Sequence, residues 1–140
     1  MKSMTTKLMI TAAALAIATG VASAQQYRAD IPFAFRAGGK TMAPGSYTIQ
    51  VRDSATYLVF LHNYEAKQGA VLLPSARGDG RNGPAEGNPT LTFLCASSRC
   101  SLAHLWTGPA SPDLTFNQPR TGKGEQISAA EIRLVKLNGD

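Results

Sequence analysis

The chain has 140 residues, 44% of them hydrophobic, with 14 Lys and Arg against 9 Asp and Glu and a formal net charge of +5. That length supports one domain with a core of its own, held without a metal or a dense disulfide framework. The cations are scattered singly, with no basic stripe interleaved with aromatics and no polybasic run. Nucleic acid and an anionic membrane surface are therefore poor partners.

The first residues read as an export signal. Lys2 and Lys7 flank a basic start, an apolar run follows from Leu8 to Val21, and Ala22-Ser23-Ala24 precedes Gln25. A basic segment, a short apolar segment and an A-x-A site make residues 1–24 a signal peptide cleaved after Ala24. A membrane anchor needs roughly 20 apolar residues, more than this Ala- and Thr-rich run supplies. No Cys stands at the cleavage point, which disfavours a lipoprotein. Residues 25–140 then form a single secreted β-domain of net charge +3 with no transmembrane segment.

From Tyr27 onward the hydrophobic period is two. Ile31, Phe33 and Phe35 share one face of a strand interrupted only by Pro32 and Ala34. Gly38-Gly39 suits a tight turn with positive φ. Thr41-Met42-Ala43 is a short extended piece, and Pro44-Gly45 fits the two central positions of a type II turn. Tyr47, Ile49 and Val51 alternate on the next strand. Thr56–His62 is rich in β-branched and aromatic residues, and Asn63–Lys67 reads as a hairpin loop into Gln68–Leu73, stopped by Pro74.

Arg77–Pro89 is dense in Gly, Pro, Asn and charge and reads as an exposed loop. Thr90–Cys95 and Cys100–Trp106 are another strand pair around a four-residue loop, and Thr107–Gly124 is a second irregular stretch. Only the tail has helical marks. Ser128 and Glu131 have the spacing of a capping box, Ile132, Val135 and Lys136 lie near one face with Leu134 and Leu137 as partners, and Asn138-Gly139 would end a short helix. The expected fold is all-β: an antiparallel meander forming a small barrel or a two-sheet sandwich, with a short C-terminal helix. The absence of βαβ alternation excludes a nucleotide-binding parallel sheet.

Few residues carry chemical promise. Cys95 and Cys100 are the two cysteines, facing each other across an expected hairpin in an oxidising compartment, and predict a disulfide. C-x4-C lacks the spacing of redox or zinc motifs. His62 and His104 become a site only if the fold brings both beside Asp53 or Glu65; otherwise they are core-edge or surface residues. Gly78–Gly83 matches G-x-G-x-x-G, but Pro84 follows where a helix would have to open. Arg77-Gly78-Asp79 is a chance adhesive tripeptide in a Gly-rich loop. Asp79, Asn82, Glu86 and Asn88 lack the alternation of a calcium loop. Asn88-Pro89-Thr90 is barred from glycosylation by its proline. None of Ser46, Ser54, Ser75 and Ser101 sits in a nucleophile elbow. No cofactor, metal or catalytic set is expected.

Three segments together resemble a known group. Ile31-Pro32-Phe33-Ala34-Phe35, with Gly39-Lys40 and Ala43-Pro44-Gly45-Ser46-Tyr47-Thr48-Ile49, is similar to the IPF-x-F…G-x-x-x-PAG-x-Y opening of small secreted hypothetical proteins of soil bacteria, notably Acidobacteria. Leu91-Thr92-Phe93 through Leu102, His104 and Trp106 resembles their L-x-F…L-x-x-x-W hairpin, and Ser128–Glu131 their closing segment. Ala43-Pro44 reverses the Pro-Ala order, and Cys95 and Cys100 stand where that group has a His and an aromatic. The resemblance implies secretion but no activity and no functional residues. A narrower likeness, of Pro44-Gly45-Ser46-Tyr47-Thr48 to a turn of prealbumin-like domains, points to structural or adhesive modules.

The function these residues favour is a non-enzymatic secreted or periplasmic β-domain, an interaction module for an unknown protein or envelope component. Its loops Arg77–Pro89 and Thr107–Gly124 are the expected contact regions, with Arg77, Asp79, Arg81, Asn82 and Glu86 as candidate residues. The alternative is a carrier for a small apolar ligand, held in a barrel interior lined by Phe33, Phe35, Tyr47, Phe60, Phe93 and Trp106. A core filled by those same rings is the simpler use of them.

Overall fold

A computed structural model of the chain describes residues 24–53, 55–81, 83–84 and 87–137. Residues 1–23 of the expected leader, Ser54, Asn82, Ala85, Glu86 and the Asn138-Gly139 stop lie outside the described residues.

Strand alternation builds two sheets. The first orders β12 (Val135–Lys136), β1 (Ala24–Ile31), β4 (Gly45–Asp53), β5 (Tyr57–Asn63) and β6 (Gln68–Leu72), all antiparallel. The second runs β11 (Ile127–Arg133), β8 (Thr90–Ala96), β9 (Arg99–Trp106), β10 (Asp113–Thr115) and β7 (Ala76–Gly78). A hairpin of β2 (Phe35–Ala37) and β3 (Lys40–Met42) joins this sheet through β9. The two sheets do not close into a barrel. Nor is the pairing a pure antiparallel meander, because β2 lies parallel to β9 with Phe35 opposite Cys100. β9 divides one edge between two neighbours: Cys100 and Ser101 face β2, while His104 and Leu105 face β10. Ala103 lies at the register shift between the two, where Thr92 pairs with His104 and Phe93 with Leu102, the pattern of a bulge that bends a strand.

Phe33 and Phe35 were expected to continue the strand of Ile31. Instead β1 ends at Ile31, Pro32 interrupts the ladder, and the chain crosses to the other sheet before β2 begins at Phe35. It returns through Pro44, where Gly45 opens β4 at φ +150° and is not the third residue of a type II turn. A Cβ at Gly45 would lie 2.9 Å from Nδ2 of the buried Asn63. The Gly38-Gly39 expectation holds: both have positive φ, 59° and 77°, between the paired Ala37 and Lys40.

The core lies between the sheets. Tyr27, Ala29 and Ile31 of β1 face it with Tyr47, Ile49 and Val51 of β4, opposite Leu91, Phe93, Leu102 and Leu105. Phe35 meets Tyr47 and Phe93 edge-on with centroids 5.3 and 5.1 Å away, and Phe33 meets Phe93 at 5.1 Å. Each such pair adds about 0.5–1.5 kcal/mol beyond the area it buries.

The C-terminal helix is replaced by strand. β11 pairs with β8 along its whole length, from Ile127 opposite Ala96 to Arg133 opposite Thr90. Ala130, Ile132 and Leu134 turn inward in alternation with exposed Glu131 and Arg133, so the tail has period two. Ser128 caps nothing; its Oγ donates to the Cys95 carbonyl at 3.5 Å. A short helix would leave the β8 edge unpaired, and the ladder outweighs the weak local preference. Leu134, buried and bonded through its N–H to the Pro89 carbonyl at 2.8 Å, carries the chain back to the first sheet, where Tyr27 faces Lys136.

Candidate functional site

The disulfide forms as expected. Cys95 and Cys100 are directly paired with Cα atoms 4.0 Å apart, and both pack against the core. The loop is tighter than four residues: Ala96 also pairs with Arg99, leaving Ser97-Ser98 as the turn, with Ser97 at φ 57°.

The histidines are not brought together. His62 is exposed on β5 and stacks edge-on against Tyr64 at 4.1 Å. His104, in the other sheet, meets Thr115 Oγ1 through Nδ1 at 3.2 Å. Asp53 and Tyr57 close the far end of the β4–β5 pair. Burial, then the Asp53 hydrogen bond, hold the Tyr57 phenol above its ordinary value, with Arg77 opposing them. Among the described residues no three His, Cys, Asp or Glu side chains gather as a metal site, and no helix is long and apolar enough to cross a membrane.

Of the candidate loop residues, Arg77 belongs to β7 and lays its guanidinium over the Tyr57 ring at 5.1 Å. Asp79 accepts from the Arg81 N–H at 3.0 Å, and their side chains pair at 3.6 Å in open solvent. Trp106 anchors this loop: its Nε1 donates to the Gly80 carbonyl at 2.8 Å.

Four of the six aromatics proposed to line a cavity are elsewhere engaged in packing. Phe33, Phe35, Tyr47 and Phe93 form the interlocked core cluster. Phe60 points outward under the Arg52 guanidinium, 4.8 Å from its ring centre.

One concavity runs from the seam between the two sheets onto the outer face of the second. Its wider part, about 390 Å³, lies between the β2–β3 turn, Val71–Leu73 at the end of β6, and the segment Phe116–Pro119. It continues into a cleft of about 180 Å³ over Leu94 and Ala96, walled by Arg99, Arg120, Glu125 and Ile127. Arg36, Ser101, Gln118 and Pro119 line both parts and join them into one trough.

Its geometry follows from local pairing. Alternation sends Phe35 into the core and Arg36 outward beside Ser101. Pairing of Ala96 with Arg99 fixes the second arginine at the mouth of the cleft. The roof is strapped down: the Phe116 N–H donates to the Ala103 carbonyl at 2.8 Å and Gln118 Nε2 to the Leu102 carbonyl at 2.7 Å. Arg99 Nη2 lies 3.5 Å from Glu125 Oε1, while Glu125 Oε2 is buried with no hydrogen-bond partner. A second hollow of about 570 Å³ beside β11 and β12 is larger, but its Arg28 and Arg133 are matched by Asp30 and Glu131.

Of the stretch Thr107–Gly124, Phe116–Thr121 line the trough. Arg36 and Arg99 carry no mark of it in the sequence, because each reads locally as an ordinary strand or turn residue. No protein-family model, curated protein or solved structure matches the chain.

Proposed function

We propose that this domain is an exported, non-enzymatic interaction module that works through its surface trough. One observation carries the reading: Phe33, Phe35, Tyr47 and Phe93 are packed against one another in the core, whereas the open trough has a mixed polar and apolar lining. A carrier needs an enclosed apolar interior; a docking surface needs an accessible groove with polar groups at its rim. The disulfide is compatible with an oxidising compartment, as is the leader-like start of the sequence. His62 and His104 are engaged by Tyr64 and Thr115 in separate sheets, which favours binding over acid–base chemistry.

Native mass spectrometry of the protein purified from its own envelope fraction or medium tests this. A co-purifying protein is the expected result. A stoichiometric small apolar molecule would reverse the reading in favour of a carrier.

A further inference from the structure

We infer that the trough receives an extended acidic peptide segment of a partner protein, whose carboxylates are taken by Arg36, Arg99 and Arg120. The inference rests on the reading of the domain as an interaction module and names the chemistry of what it binds.

Charge is the first support. The trough gathers Arg36, Arg99 and Arg120 against one acid in its lining, Glu125, a local formal excess of +2. From residue 25 onward the other nine bases and eight acids nearly cancel. Two of the three units of formal excess therefore belong to this one feature. Residues far apart in sequence are collected by folding into a local field that attracts an anion.

Carboxylate recognition is already present in the protein itself. Glu125 reaches Arg99 through one oxygen at 3.5 Å and leaves the other unpartnered. Arg99 thus keeps donors of its planar fork available, and a guanidinium accepts a carboxylate through two of them at once. Arg36 and Arg120 have no ion-pair partner among the described residues.

Shape and lining select an extended peptide. A hollow of about 390 Å³ leading into another of about 180 Å³ would be left mostly empty by a single small anion. A flat bilayer would meet these exposed arginines and leave the concave lining between them unfilled. Exposed Val71, Leu73 and Ile127 offer apolar contacts between the charges. At the same end Lys40 Nζ donates to the Gly69 carbonyl of β6 at 3.3 Å and holds the β2–β3 turn against that strand as one wall of the trough. Alternating apolar and acidic side chains on a strand-like backbone match those features. A glycan would call for an exposed stacking ring, and Phe116, the aromatic in the lining, is buried.

The test uses a fluorescein-labelled decapeptide of alternating Glu and Val, titrated by anisotropy against the folded domain at low salt. Saturable binding is expected, lost on adding salt and absent for the Lys–Val counterpart. Arg36→Glu with Arg120→Glu should weaken it by at least about tenfold, and both side chains are exposed, so the fold survives. Glu125→Gln should strengthen it about threefold by freeing Arg99 and removing a like charge. Arg28→Glu, on the other sheet, should leave it unchanged. A thermal melt verifies that every variant is folded. Failure of the Glu–Val peptide to bind, equal binding by the Arg36/Arg120 variant, or displacement by polygalacturonate at lower carboxylate concentration would each overturn the inference. If the peptide fails while native mass spectrometry still finds a protein partner, the interaction-module reading stands and only the acidic-peptide assignment falls.

Discussion

Gly83 lies so close under the indole of Trp106 that a methyl group on its α-carbon would sit 2.0 Å from Cε2 of the ring. The same indole donates to the Gly80 carbonyl, so one side chain both packs and ties the 79–84 loop. Gly83→Ala must push the ring away or lift the loop. It should cost about 1–3 kcal/mol, the usual penalty of overpacking. Trp106 is the single tryptophan, so a denaturant titration followed by its emission reads the effect directly. An unchanged midpoint would show that the ring is free to move.

The pairing of Cys95 with Cys100 closes a short loop across adjacent strands. In the chain-entropy account a loop of this size contributes about 2 kcal/mol by restricting the unfolded state. The Cys95→Ala/Cys100→Ala variant should lose about that much and keep its sheet signature in far-ultraviolet circular dichroism. Mass should rise by about two hydrogens when the parent is reduced. A thiol count of two in the unreduced protein would exclude the bond.

Ser128 and Glu131 are exposed strand residues. Replacing either by Ala in a capping box would cost about 1 kcal/mol. On the exposed side of β11 each replacement should change stability by less than about 0.5 kcal/mol. Ala130→Pro should be far more damaging, because it puts a proline ring into the ladder opposite Phe93. Urea midpoints of the three variants separate strand from helix.

Tyr27 is buried, and its burial holds the phenol above its ordinary value of 10.0, against a smaller opposing hydrogen bond from Thr107. The folded state therefore retains the proton longer than the unfolded one. The resulting stability is complete below the unfolded value and disappears as pH climbs through the raised folded value. Between about pH 8 and pH 11 the parent should lose more stability than Tyr27→Phe, which lacks the ionisation. Equal slopes for the two would contradict a buried, shifted phenol.

The strands were legible because their period-two pattern and their glycine and proline punctuation are local. Gly38-Gly39 and Cys95…Cys100 each specify a hairpin within a few residues, and both hairpins formed. What was not legible depended on distance along the chain. Phe33 and Phe35 alternate with Ile31 as one strand would, and nothing local says that Pro32 moves them to another sheet. Ser128-x-x-Glu131 fits a helix start, whereas the partner that makes it a strand is β8, more than thirty residues upstream. The trough was hidden for the same reason, since Arg36, Arg99 and Arg120 meet only after the sheets assemble.

Tyr27 opposite Lys136 joins the first described strand to the last. The first sheet therefore has an unfinished edge until β12 has been synthesised, and β8 in the second lacks a neighbour until β11 has been. These two strands are adjacent in sequence, so both edges are completed within the same few seconds of translation. A chain that stops short of Ile127 leaves β1 and β8 each with one unpaired edge. One ten-residue stretch, 127–136, therefore closes an edge of both sheets, and the two layers share a single finishing step.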